Sequence, residues 1–301
     1  MPIRETTNFP MSSFEWSLLL ALSLLWGGAF SLGQIALTEL PPFTIVFCRS
    51  VIAAIALAAI TAVSGQKIPI GRDAWLAFLT LGVLNNLLPF ALLLWCQLRI
   101  GSGLASVLAA TTPLFTVVVA HFFTADEEMT RARVVGVLIG LAGVAIAIGP
   151  AVPRASDNLM AGFAALGAAV CYAFAGVLGR RLRAMPPLPL ATGQLAATSL
   201  LSLPAALLIE KPWTLALPGW SVLGAVLALA LLSTALGYVL FFRLLSSAGA
   251  VNASLVSLLV PVTALLMAGT VLGEPLGWGV FAGLGLIFAG LAALNGQLLA
   301  R

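Results

Sequence analysis

Apolar residues run along this chain in long unbroken blocks, and polar positions are confined to short interruptions between them. The block "VVGVLIGLAGVAIAIG", residues 134–149, is typical. Such runs are continuous rather than alternating, so the ten-residue alternation of a transmembrane barrel strand is missing. A backbone in lipid must satisfy its own hydrogen bonds, and helices do this within one segment. A spanning helix needs roughly 20 apolar residues. Breaking the pattern at charges, prolines and polar clusters gives ten segments: 15–37, 43–63, 73–97, 102–124, 131–150, 158–182, 188–209, 218–244, 250–272 and 277–299. Linkers such as "TELPP" and "GEPLG" leave no room for a soluble domain. The pattern predicts an all-α integral membrane protein with ten transmembrane helices.

The pattern is also written twice. "GSGLASVLAATTPLFTVVVA" (101–120) aligns without a gap with "GAVNASLVSLLVPVTALLMA" (249–268). Gly101 meets Gly249, Ser106 meets Ser254 and Pro113 meets Pro261. Further on, Glu127, Gly136 and Gly143 meet Glu274, Gly283 and Gly290. Upstream, Trp26 falls opposite Tyr172. Two repeats follow, residues 15–150 and 158–299, each of five helices. Five is odd, so the second repeat enters the membrane from the opposite side. Such inverted-topology repeats are the plan of many secondary transporters, with a site near the midplane between the halves.

Composition agrees with the pattern. Of 301 residues, 61% are hydrophobic and 8% charged, and the mean hydropathy is +1.12. An average soluble domain is about 25% charged, so lipid is the solvent for much of this surface. The net charge of +4 is scattered singly between apolar runs and gives no nucleic-acid signature. It sets topology instead, because basic residues stay on the cytoplasmic side. With connections numbered alternately, one side collects ten Lys and Arg and the other only Arg99, Arg154 and Lys211, while Arg49 lies within a span. Both termini are therefore expected in the cytoplasm, in a bacterial inner-type plasma membrane. No small-residue cleavage site follows the first run, which argues against a signal peptide. Cys48, Cys96 and Cys171 all lie in apolar runs and read as buried free thiols.

The "TTPLF" and "LVPVT" prolines, the "FCRSVIAA" second helix and the glutamate-then-glycine pattern resemble the EamA-type members of the drug/metabolite transporter superfamily. The resemblance covers roughly 18–148 and 160–295 and is greatest to exporters of aromatic and neutral amino acids. It implies alternating access through a central cavity. Together with polar and proline content, it places helices one, three, four, six, eight and nine around that cavity.

Pro113 and Pro261 each remove a helical hydrogen bond and free the carbonyls of Ala109 and Ser257. Thr111 and Thr112 stand beside the first break, where they could hydrate it or bond back to their own helix. Pro89 loosens the third span three residues after Asn86. Asn85 and Asn86 are poor lipid-facing residues, and their repeat mates are Ser233 and Thr234, with Tyr238 opposite Phe90. These polar positions, with Ser257, are candidates for the cavity lining; interhelical bonding is the competing use. Trp26 lies deep in its helix and with Tyr172 offers a flat wall and one donor. For Arg49, snorkelling to the outer headgroups or structural pairing is favoured over substrate contact. His121 reads as interfacial rather than as a proton relay.

What is missing narrows the chemistry. No Asp or Glu sits mid-span, which is the usual place for proton coupling or cation binding. Glu127 and Glu274 fall at helix junctions, where a carboxylate suits the N-terminus of the following helix. One histidine provides no metal cluster and no catalytic base pair, so neither an enzyme, a metal nor a cofactor is expected. The expected partners are a small-molecule substrate and membrane lipid, with no nucleic acid, and the chain is expected to act as a monomer. Export of small net-neutral metabolites, amino acids foremost, is the favoured reading. A broad drug or toxic-metabolite exporter is the alternative, followed by a passive channel or scramblase.

Overall fold

The computed structural model describes residues 11–124, 130–148, 156–182 and 184–294, and its regular elements are all helical. In order they are α1 (Ser13–Ala36), α2 (Pro42–Val63), α3 (Arg72–Leu81), α4 (Leu88–Ala109), α5 (Thr112–Phe123), α6 (Arg131–Ile148), α7 (Ser156–Arg181), α8 (Pro187–Ala205), α9 (Trp220–Ala228), α10 (Gly237–Ser254), α11 (Val256–Thr270) and α12 (Trp278–Leu294). A π-helical segment Gly82–Leu87 joins α3 to α4, another, Leu229–Leu236, joins α9 to α10, and a third, Ala206–Glu210, extends α8. Among the described residues seven helical stretches are long and apolar enough to cross a membrane. Three further apolar helices are shorter: Thr112–Phe123, Arg133–Ile148 and Trp278–Ala293.

Helix starts follow local chemistry. Ser12 caps α1 in a reciprocal box with Glu15, and prolines at the first turn open α2 and α8. The linkers differ from those read in the sequence. Helix runs on through 72–109 and through 220–254, where separate spans were drawn. The cause is that each break is one residue: Gly101 (φ 76°, ψ 170°) and Gly249 (φ 81°, ψ 170°) adopt a conformation that a Cβ would strain. No polar loop is needed to mark such a kink. The proline breaks also differ from each other. Helix α4 ends at Ala109 and α5 begins at Thr112, just ahead of Pro113, whereas Pro261 sits inside α11.

The two repeats pack on each other through a two-fold arrangement. A Cβ on Gly143 would lie 2.7 Å from the Gly283 carbonyl, and one on Gly290 would lie 2.5 Å from the Gly136 carbonyl. The pairs 143–283 and 136–290 exchange under the repeat register. As α6 advances, its partner numbers fall, so α6 and α12 run antiparallel. Mates that cross in opposite directions are what an inverted repeat requires. The same exchange relates α1 packed on α11 to α7 packed on α5, and α2 packs on its own mate α8. Large apolar side chains such as Ile55, Phe163 and Leu208 point outward, and Trp213 and Trp220 are exposed near helix ends. Cys48, Cys96 and Cys171 are free thiols.

Candidate functional site

A cavity of about 510 Å³ lies between the repeats, within the roughly 300–1,000 Å³ range of small-molecule sites. Its walls are mostly apolar, with Phe30, Phe90, Leu93, Phe241 and Phe242 among them. Of the residues picked from sequence, Trp26, Asn85, Thr112, Tyr172, Ser233, Thr234, Tyr238, Ser257 and Pro261 line it, and so does Arg49. Asn86, Thr111, Pro89, Pro113 and His121 lie outside the lining. Neighbouring residues on a helix point about 100° apart, so Asn85 and Asn86 do not share one face. Asn85 faces the cavity and Asn86 is fully buried behind it. Thr111 is buried with its hydroxyl on the Leu108 carbonyl at 2.6 Å. His121 is exposed near the end of α5, with its ring edge toward Phe122.

Two of the three π segments fall where the polar pairs were noted, Asn85–Asn86 in one and Ser233–Thr234 in the other. A π turn displaces the regular i→i−4 ladder and redirects side chains and carbonyls. The displaced groups then bond across the repeats. Trp26 Nε1 donates to the Ser233 carbonyl at 3.1 Å, and Ser233 Oγ donates to the Leu25 carbonyl at 2.8 Å. The indole donor is thus engaged by protein, and Trp26 offers the cavity its ring, which leans on Phe241 at 5.5 Å. The carbonyl that Pro113 frees is filled from within, as Thr112 Oγ1 donates to Ala109 at 2.8 Å.

Tyr238 is the centre of a polar knot. Its hydroxyl donates to Asn86 Oδ1 at 3.1 Å and accepts from Asn85 Nδ2 at 3.0 Å and Gln194 Nε2 at 2.8 Å. One donor and two acceptor sites are all a phenol has, so the hydroxyl is saturated. Tyr238→Phe strands three amides together. It is expected to destabilise the fold by about 1–3 kcal/mol, read as a lowered thermal midpoint in detergent; an unchanged midpoint would dissolve the knot.

Arg49 projects from α2 into this polar end. Its Nε donates to Thr234 Oγ1 at 2.7 Å, and its guanidinium carbon lies 3.8 Å from the Phe90 ring centroid. The side chain reaches inward instead of snorkelling to headgroups, because the π turn presents the Thr234 hydroxyl and Phe90 provides a cation–π platform. Among the described residues no carboxylate lines the cavity.

Carboxylates gather instead at one end of the bundle, where each bonds a helix start in the other repeat. Glu274 accepts from Ser102 N at 2.8 Å, Ser102 Oγ at 2.7 Å and Gly103 N at 3.0 Å. It therefore caps the helix after Gly101, not the helix that follows it in sequence; Glu127 lies outside the described residues. Glu210 accepts from Phe43 N, Thr44 N and Thr44 Oγ1 at 2.7–2.8 Å. Glu39 accepts from Gly219 N at 2.6 Å in a more exposed setting. Such contacts combine charge-assisted bonding with the helix dipole. The opposite end is different. Gly101 abuts Glu274, whereas its mate Gly249 has nothing within 4 Å among the described residues. Gly219 abuts Glu39, whereas Gly71, which caps α3 as Gly219 caps α9, is likewise uncovered. The cavity lining reaches that uncovered end, taking in Gly179 near the end of α7, Leu190 in the first turn of α8 and Val256 at the start of α11.

The sequence pattern of the EamA-like transporter family matches residues 14–149 and, a second time, 159–296. The chain belongs to the EamA-like transporter family. It is a multi-pass membrane protein. Proteins similar to it include a probable amino-acid metabolite efflux pump of Salmonella typhimurium, 27% identical over 292 residues, with 93% of this chain and 94% of the relative covered. An uncharacterized transporter of Archaeoglobus fulgidus is 27% identical over 277 residues, covering 92% and 97% of the two chains. The uncharacterized inner membrane transporter YedA of Escherichia coli is 27% identical over 262 residues, covering 86% and 83%. A solved crystal structure superposes with a TM-score of 0.69 at 22% identity over 97% of this chain and 99% of the other, a likeness of fold.

The Gln194 position escaped the sequence reading although a signal existed. Arg49 and Gln194 each stand seven residues after the proline that opens its helix, Pro42 and Pro187. The carboxylate caps had no such signal, since Glu39 and Glu210 are isolated acids at helix ends.

Proposed function

We propose that this chain is a secondary transporter that moves small net-neutral metabolites, foremost amino acids with aromatic or other uncharged side chains, by alternating access. In this reading ten spans form two inverted repeats in the inner membrane, as the name of the Escherichia coli relative suggests. Both termini are cytoplasmic, the carboxylate-capped end faces outward, and the cavity is reached from inside. The observation that carries the reading is the contrast between the two ends among the described residues: Glu210 and Glu39 tie helix starts across the repeats at one end, while Gly71, the counterpart of Gly219, is uncovered at the other. A two-fold backbone with one-fold contacts can exchange which end is covered, and that exchange is alternating access. The aromatic cavity wall and the name of the Salmonella relative support the substrate class.

Proteoliposomes loaded with unlabelled amino acids test it. Uptake of a labelled aromatic or aliphatic amino acid is expected to rise when its unlabelled counterpart is inside. A channel gives no such trans-stimulation, and its absence across the panel would sink the carrier reading. Trp26→Ala removes the ring from the wall and is expected to raise the half-saturation concentration about tenfold, on the order of 1.4 kcal/mol. Unchanged exchange kinetics in that variant would remove Trp26 from the site.

A further inference from the structure

We infer that the free edge of the Arg49 guanidinium is an anchor for an anionic oxygen group, so that the cavity selects amphiphiles bearing a carboxylate. The inference rests on the transporter reading and names the part of the cargo that is recognised. Arginine has five N–H donors in a planar fork. Thr234 takes one of them, at Nε, and Phe90 covers one face of the plane. Those two contacts fix the fork and leave its Nη edge without a protein hydrogen bond among the described residues. A cation at this depth is costly when it stays unpaired, and among the described residues no Asp or Glu lines the cavity to pair with it. A carboxylate matches the fork in a two-point contact.

The second repeat shows what the site would be without that charge. Gln194 occupies the mate position of Arg49, and Tyr238 the mate position of Phe90. There the amide bonds the phenol, and that hydroxyl is saturated. One pole of the pseudo-symmetric cavity is neutral and closed on itself, and the other is cationic and open. The rest of the wall, including Trp26, Phe241 and Phe242, suits an aromatic or branched apolar body. With no acid among the described lining residues, the lining supplies no counter-charge for an ammonium. Recognition therefore falls on the carboxylate, and an amino group on the cargo is tolerated rather than read.

The probes are 3-phenylpropionate, its uncharged amide 3-phenylpropionamide, and phenethylamine, each tested as a competitor of labelled phenylalanine binding to the purified full chain. The wild-type protein is expected to prefer the acid over the amide by at least about tenfold, the scale of one charge-assisted bidentate contact, and to bind the amine weakest. Arg49→Gln is expected to bring acid and amide level, and Arg49→Lys to restore part of the preference, because charge remains while the fork is lost. Equal binding of acid and amide by the wild type overturns the assignment, as does binding of neither or a preference that survives Arg49→Gln. The wild-type comparison stands even where a variant fails to fold. Phenylalanine counterflow is measured alongside: its absence tells against the transporter reading, whereas counterflow blocked equally by acid and amide tells against Arg49 alone.

Discussion

Removing the carboxylates of Glu210 and Glu274 together is expected to open the capped end of the bundle. Each bridges from the second repeat to a helix start in the first, and each accepts three hydrogen bonds from two residues. In an open state water would take over these donors, so only the difference between protein and water counts toward the equilibrium. For hydrogen bonds to a charged group that difference is about 1.5–3 kcal/mol. Glu210→Ala with Glu274→Ala should therefore shift the balance toward the open end by one to two orders of magnitude at least, on the order of 1.4 kcal/mol per factor of ten. Glu39 remains in this variant, but it is exposed and its contact is worth less. Spin labels at Thr38 and Thr214, both exposed near this end and in different repeats, report the change. The expected result is a new population at longer distance without substrate. A distance distribution identical to that of the unmodified carboxylates would show that these contacts do not hold the end closed.

That prediction concerns a feature the sequence concealed, and the reason is physical. The repeat was legible because glycine and proline act on their own backbone, so Gly101 with Gly249 and Pro113 with Pro261 leave a local mark. The polar pairs Asn85–Asn86 and Ser233–Thr234 were legible because amides and hydroxyls are out of place in lipid. Which member of each pair faces the cavity was not, since a π turn changes the angular phase that a regular helix would give. Asn86 turned inward to Tyr238 for this reason. The role of Arg49 depended on Thr234 and Phe90, which lie on other helices, and no spacing rule reaches that far. The caps by Glu210 and Glu274 likewise join positions more than 160 residues apart. Long-range polar contacts are set by the assembled bundle, so one side of the pair carries no trace of the other.

The sharpest test of the bundle itself sits on α12, where two glycines two residues apart should respond in opposite ways. A Cβ on Gly283 would lie 2.6 Å from both the Gly143 carbonyl and Ala147 Cβ, and 2.9 Å from Ala147 N. Two of those three obstacles are backbone atoms of α6, which cannot rotate out of the way. Gly285 has nothing within 4 Å among the described residues. Replacing either by alanine gains the same helix propensity, about 1 kcal/mol at an exposed interior position. At Gly285 that gain stands alone, so Gly285→Ala should leave the thermal midpoint unchanged or raise it. At Gly283 the helices must separate, which costs about 1–3 kcal/mol for an overpacked contact. The loss is compounded because helix association in lipid depends on close packing and not on burial of apolar surface. Gly283→Ala should therefore lower the midpoint, and Gly290→Ala should do the same, since a Cβ there would lie 2.5 Å from the Gly136 carbonyl in the mate contact. Equal midpoints for Gly283→Ala and Gly285→Ala would mean that α6 and α12 are not in backbone contact. The antiparallel crossing that relates the two repeats would then lose its footing.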